Sequence, residues 1–116
     1  MKAKRKTSAK QHKADREERR EDLLRPNPYT GYDRDDIAMH LVEREAYEIA
    51  ESLLRRAIWL NPFEPRFKVH LAWCFYKQGR DADARGCLAE VSDAAMDDDM
   101  RAMARLIAEG PPEKRE

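Results

Sequence analysis

The feature that most constrains this chain is a recurrence at a spacing of 34 residues between Ile37 and Val91. Ile37, Ala38 and Leu41 return as Leu71, Ala72 and Phe75, and Ala50, Leu54 and Ala57 return as Ala84, Leu88 and Val91. A unit that repeats its small and apolar positions at this period cannot bury its own apolar face and stacks on a neighbouring copy to do so. An ordinary bundle of unrelated amphipathic helices would have no reason to place alanine at both Ala38/Ala72 and Ala50/Ala84, positions at which close helix crossings demand small side chains.

Within the units the apolar residues fall three and four apart, the helical period. Asp33 stands as a plausible N-cap, with Asp35 and Asp36 at the positive end of the helix dipole, for a first helix reaching about Arg44. A second is expected from about Tyr47 to Leu60, with Ile49, Ala50, Leu53, Leu54, Ala57 and Ile58 on one stripe and Asn61-Pro62 as its stop. Pro65 lets a third begin at about Arg66 and run to a stop near Gly79; Asp81 is read as the cap of a fourth that reaches about Val91. A fifth, from about Asp97 to Glu109, carries Met100, Met103, Ala104 and Ile107 and ends before Gly110-Pro111-Pro112.

The remainder of the chain is polar. Lys plus Arg and Asp plus Glu each number 23, so net charge favours no partner, but residues 1–14 hold Lys2, Lys4, Arg5, Lys6, Lys10 and Lys13 and no acid. A mixed-sign run from Asp15 to Asp22 follows; Glu and Arg three and four apart allow a solvated helix from about Ala14 to Leu24, but only Leu23 and Leu24 offer a packing handle, so the segment is expected to be disordered or helical only when bound. Two prolines, an Asn and a Gly between Arg25 and Tyr32 mark a linker. The expected division is therefore a disordered tail and linker over residues 1–32, a helical domain over 33–110 and a charged tail over 111–116. No apolar run approaches the roughly 18 to 20 residues that span a bilayer and no apolar core follows the basic N-terminus, so a cytoplasmic chain without membrane contact is expected. Cys74 and Cys87 match no zinc or redox spacing and read as small hydrophobes.

The units resemble the tetratricopeptide repeat family. Ala50, Leu54, Ala57 and Pro62 keep that family's second-helix spacing, and RRAIWLNP reads like its usual ending. The first helix of the first unit departs from the pattern, with Arg34 where the family often has Trp, Ala38 for Gly and Leu41 for the aromatic. The second unit restores the aromatic as Phe75 and the inter-helix glycine as Gly79, whereas Met96 replaces the closing proline. The resemblance covers roughly residues 31–98. It implies an all-α fold: a short superhelix of two helical hairpins, with the fifth helix as the amphipathic cap over the last apolar face.

No catalytic constellation is present. His12, His40 and His70 fall in no phosphate-loop, zinc-protease or hydrolase motif, and Asp97-Asp98-Asp99 has a simpler explanation at a helix start than a metal site, so neither an enzyme nor a cofactor is expected. Surface is what remains. In the family the first helix of each hairpin lines a concave groove, which here implicates Met39, Val42 and Glu43 in the first unit and Arg66, Val69, His70, Trp73, Tyr76 and Lys77 in the second. Val69, Trp73 and Tyr76 share a stripe surplus to the core, with cationic edges suited to a peptide bearing apolar and acidic residues. The family's carboxylate clamp is not reproduced, because Asp35, Met39 and Val69 stand where it would need other residues. The resemblance thus implies an adaptor or assembly factor that binds a segment of another protein, with self-association as a further expectation because two repeats make a small core. The competing reading is a nucleic-acid- or ribosome-associated protein that uses Lys2, Lys4, Arg5, Lys6, Lys10 and Lys13 as a phosphate-binding arm, although no aromatic is interleaved with them.

Overall fold

A computed structural model describes residues 28–110, and among these every regular element is helical. The expected tail contacts from Lys2 to Lys13 and the charged segment 111–116 lie outside the described residues. In chain order the helices are α1 (Tyr32–Glu43), α2 (Tyr47–Leu60), α3 (Pro65–Lys77), α4 (Asp81–Ala89) and α5 (Asp98–Glu109), with a 3-10 turn at Asp93–Ala95 between the last two. α2 has the bounds its apolar stripe predicts, and it buries Ala50, Leu54, Ala57 and Leu60. α4 ends two residues before the expected Val91, and the 3-10 turn that follows is not foreshadowed by any periodicity.

The caps differ from expectation where backbone geometry outweighs side-chain chemistry. Gly31, not Asp33, precedes α1, in a left-handed conformation at φ 94°, and Arg80, not Asp81, precedes α4; neither cap uses a side-chain hydrogen bond. Asp33 and Asp81 instead sit in first turns, where a carboxylate meets the positive end of the helix dipole. True side-chain caps occur at α3, where Glu64 accepts from the Arg66 N–H, and at α5, where Asp97 Oδ1 accepts from the Met100 N–H at 2.8 Å.

Two hairpins, α1/α2 and α3/α4, stack so that α2 packs on α3, α1 lies beside α3, and α5 packs on both α3 and α4. The alanines of the repeat, Ala38, Ala50, Ala72 and Ala84, are all fully buried, as close crossings require. α3 is the shared element: it touches the four other helices and buries Phe67, Val69, Leu71, Ala72, Cys74 and Phe75. α5 closes the far end with Met100 and Ile107.

The folded unit begins before the expected boundary at residue 33. Asn61, fully buried at the end of α2, donates from Nδ2 to the Thr30 carbonyl at 3.0 Å and accepts at Oδ1 from the Phe63 N–H. Tyr32 sets its ring edge-on to Phe67 at 5.2 Å and donates its hydroxyl to Glu64. A Cβ on Gly31 would lie 2.8 Å from Phe67 Cε2 and 3.2 Å from the Ala57 carbonyl oxygen, so only glycine permits this approach. Residues 30–32 therefore belong to the α2–α3 junction and not to a loose linker.

Candidate functional site

α1 and α3, the first helices of the two hairpins, lie side by side. On α3 the helical period brings Trp73, Tyr76 and Lys77 to one patch: the two rings stand 5.3 Å apart at 33°, and the Lys77 ammonium sits 5.1 Å over the Trp73 ring. Both aromatics are half-buried, packed on the core along one edge and open along the other. A large apolar surface with a cation held against it offers contact area at low entropic cost and a charge for a carboxylate.

Not every residue expected in the groove is available there. Val42 and Val69 are buried and contribute packing rather than groove surface. Met39 is half-buried and Glu43 exposed on α1. Arg66 is bound across the layer to Asp97 at 2.8 Å, which ties the start of α3 to the start of α5. Tyr32 packs on Phe67.

His70 is part of a polar contact that sequence reasoning missed. Its Nδ1 meets Asp35 Oδ1 at 2.6 Å, with Asp35 buried and the His70 side chain nearly so. The pair joins α1 to α3 and hence one hairpin to the other. Motif spacing could not have found it, since its members lie 35 residues apart on separate helices. The one signal was the repeat register itself, in which Asp35 takes the place of Val69, the neighbour of His70. A carboxylate taken out of water needs such a partner.

A second surface opens on the other side, where α2, α3 and α4 meet in a groove of about 330 Å³ lined by Arg55, Ile58, Trp59, Lys68, Leu71, Cys87 and Glu90. Burial pushes the Cys87 thiol up from its usual range, and the fully buried Cys74 likewise, so both remain protonated near neutrality. Among the described residues no cluster of three or more His, Cys, Asp or Glu could hold a metal ion, and no helix is long and apolar enough to cross a membrane.

Residues 41–109, from within α1 to the last residue of α5, match the family model for the tetratricopeptide repeat. No curated protein and no solved structure matches the chain.

Proposed function

Because this chain belongs to the tetratricopeptide repeat family, whose repeats mediate protein–protein interaction, we propose that it acts as a non-enzymatic adaptor or assembly factor that takes a segment of a partner protein against α3. The observation that carries this reading is the Trp73–Tyr76 pair with Lys77 over the indole. Leu71 and Phe75 are buried in the core, while Trp73 and Tyr76 pack against it and remain only half-buried. The chemistry fits a short peptide with an apolar or aromatic anchor next to a carboxylate: the rings take the anchor and Lys77 takes the charge. Glu43 on the neighbouring helix sets a limit, since an acidic residue placed over α1 would meet a like charge.

Selection of peptides from a random displayed library on the full chain tests this. The expected winners carry an aromatic or large aliphatic residue within a few positions of Asp or Glu. Trp73→Ala and Tyr76→Ala should each weaken them by on the order of thirtyfold, the effect of losing a hot-spot side chain. Selected peptides that bind both variants as tightly as the parent would overturn the reading.

A further inference from the structure

The Asp35–His70 contact helps to fix how α1 and α3 lie against each other. Gly31 and Tyr32 at the start of α1 meet Phe67 near the start of α3, and Asp35 meets His70 one turn further along both, so the two helices run parallel. Successive turns then stand in step, with Met39 level with the turn that carries Trp73 and Glu43 level with the turn that carries Lys77. On α3 itself His70, Trp73 and Lys77 follow at intervals of three and four, along one stripe of the helix.

The polar end of that stripe keeps one ring nitrogen unengaged. A carboxylate only accepts, so Asp35 Oδ1 takes the Nδ1 proton of His70 at 2.6 Å, and the ring cannot turn away without leaving the buried Asp35 unpaired. Nε2 makes no hydrogen bond among the described residues, and it is not sealed from solvent. The His70 side chain is 13% exposed, an opening that admits a contact at the ring edge and not across its face. Arg66, one turn earlier on α3, is tied to Asp97.

We propose that His70 Nε2, with the ring held by Asp35, forms the polar end of the α3 binding surface and hydrogen-bonds a hydroxyl or carboxamide side chain of the bound peptide. This rests on the reading of α3 as the peptide-binding helix and adds a second determinant to it. A hydroxyl or carboxamide suits the site because it both donates and accepts. A carboxylate does not, because the buried charge of Asp35 lies against the same ring. Lys77, its ammonium over Trp73, favours a carboxylate instead. Its place two turns beyond His70 is about 10 Å along the axis, a length that roughly three extended residues span. The surface therefore selects an ordered pattern: an uncharged hydrogen-bonding residue at His70, an apolar or aromatic anchor at Trp73 and Tyr76, and Asp or Glu at Lys77, about three positions from the first.

Three end-capped tetrapeptides, Ser-Gly-Trp-Asp, Ala-Gly-Trp-Asp and Asp-Gly-Trp-Asp, titrated into the full chain with NMR detection of the His70 ring nitrogens and the Trp73 indole, test the proposal. The serine peptide should bind on the order of fivefold more tightly than the alanine peptide, the effect of one neutral hydrogen bond, and it alone should shift Nε2 more than Nδ1. The aspartate peptide should bind most weakly. His70→Asn, whose shorter side chain keeps an amide for Asp35 and has no atom in the place of Nε2, should erase the preference for serine while the peptides still shift the Trp73 indole. Equal binding of the serine and alanine peptides to the parent chain, with Trp73 shifted by both, would overturn this proposal and leave the reading of α3 intact. Tightest binding by the aspartate peptide would do the same. No shift of Trp73 with any of the three would overturn both.

Discussion

Ile37 and Leu71 occupy the same place in the 34-residue unit, yet one is more than half exposed and the other nearly sealed. The same holds for the helices that carry them: α1 buries Asp35, Ala38 and Val42, whereas α3 buries six residues and touches every other helix. Sequence identity between repeats sets which residues face a neighbour, and position in the array decides whether a neighbour is there. Stability in such a stack is a sum of unit and nearest-neighbour terms, so equivalent substitutions in the two hairpins should differ by the neighbour term.

The largest contrast is expected at that pair. Leu71→Ala removes a buried side chain at a cost of about 2 to 5 kcal/mol, while Ile37→Ala should cost about 1 kcal/mol or less. Chemical denaturation of the two variants measures both, and equal costs would mean that the hairpins are equally enclosed. The histidines make a second contrast. His70→Ala leaves the Asp35 carboxylate buried without its partner and should cost about 3 kcal/mol, whereas the exposed His40 should tolerate alanine within about 0.5 kcal/mol.

The small-residue crossings sharpen the comparison from the other side, because here the hairpins should agree. Ala50→Leu and Ala84→Leu each force a larger side chain into a fully buried crossing and should each cost roughly 1 to 3 kcal/mol. A large disparity in thermal melts would show that α4, only nine residues long and burying just Ala84, yields where α2 cannot.

The smallest contrast lies in the turns. α1 and α3 end in the same bonding pattern: Ala46 N–H to the Leu41 carbonyl and Arg80 N–H to the Phe75 carbonyl, both at 2.9 Å. The left-handed residue is Glu45 at φ 65° in the first hairpin and Gly79 at φ 80° in the second, 34 positions apart. A Cβ costs about 1 kcal/mol there, and open space surrounds Gly79. Glu45→Gly should therefore stabilise by up to about 1 kcal/mol, and Gly79→Ala should destabilise by a similar amount. Calorimetry on the pair would show whether the two turns are equivalent.

These contrasts also explain what the sequence disclosed and what it withheld. The 34-residue recurrence and the apolar stripe of α2 expose the hairpins and the bounds Tyr47–Leu60, because burial at Ala50, Leu54 and Ala57 follows from a local period. Residues whose role depends on a distant segment were not legible. Gly31 caps α1 because Phe67 leaves no room for a Cβ; Asp35 is buried because His70 meets it from the other hairpin. Val42 and Val69 lie on the helix face expected to meet a partner, but the approach of neighbouring helices buries them, so only part of the expected groove remains as surface. The Trp73, Tyr76 and Lys77 stripe was legible, since three residues on one helix need only the helical period to be brought together.

The central claim is that α3 is the element on which both hairpins and the closing helix depend. Native-state hydrogen exchange resolved by residue tests it most directly. The account predicts that amides in Val69–Phe75 open only with global unfolding, that those of α1 and α5 open earlier, and that no part of the described fold outlasts α3. Exchange through α3 at the same free energy as α1, or persistence of the α1/α2 hairpin after α3 has opened, would contradict it.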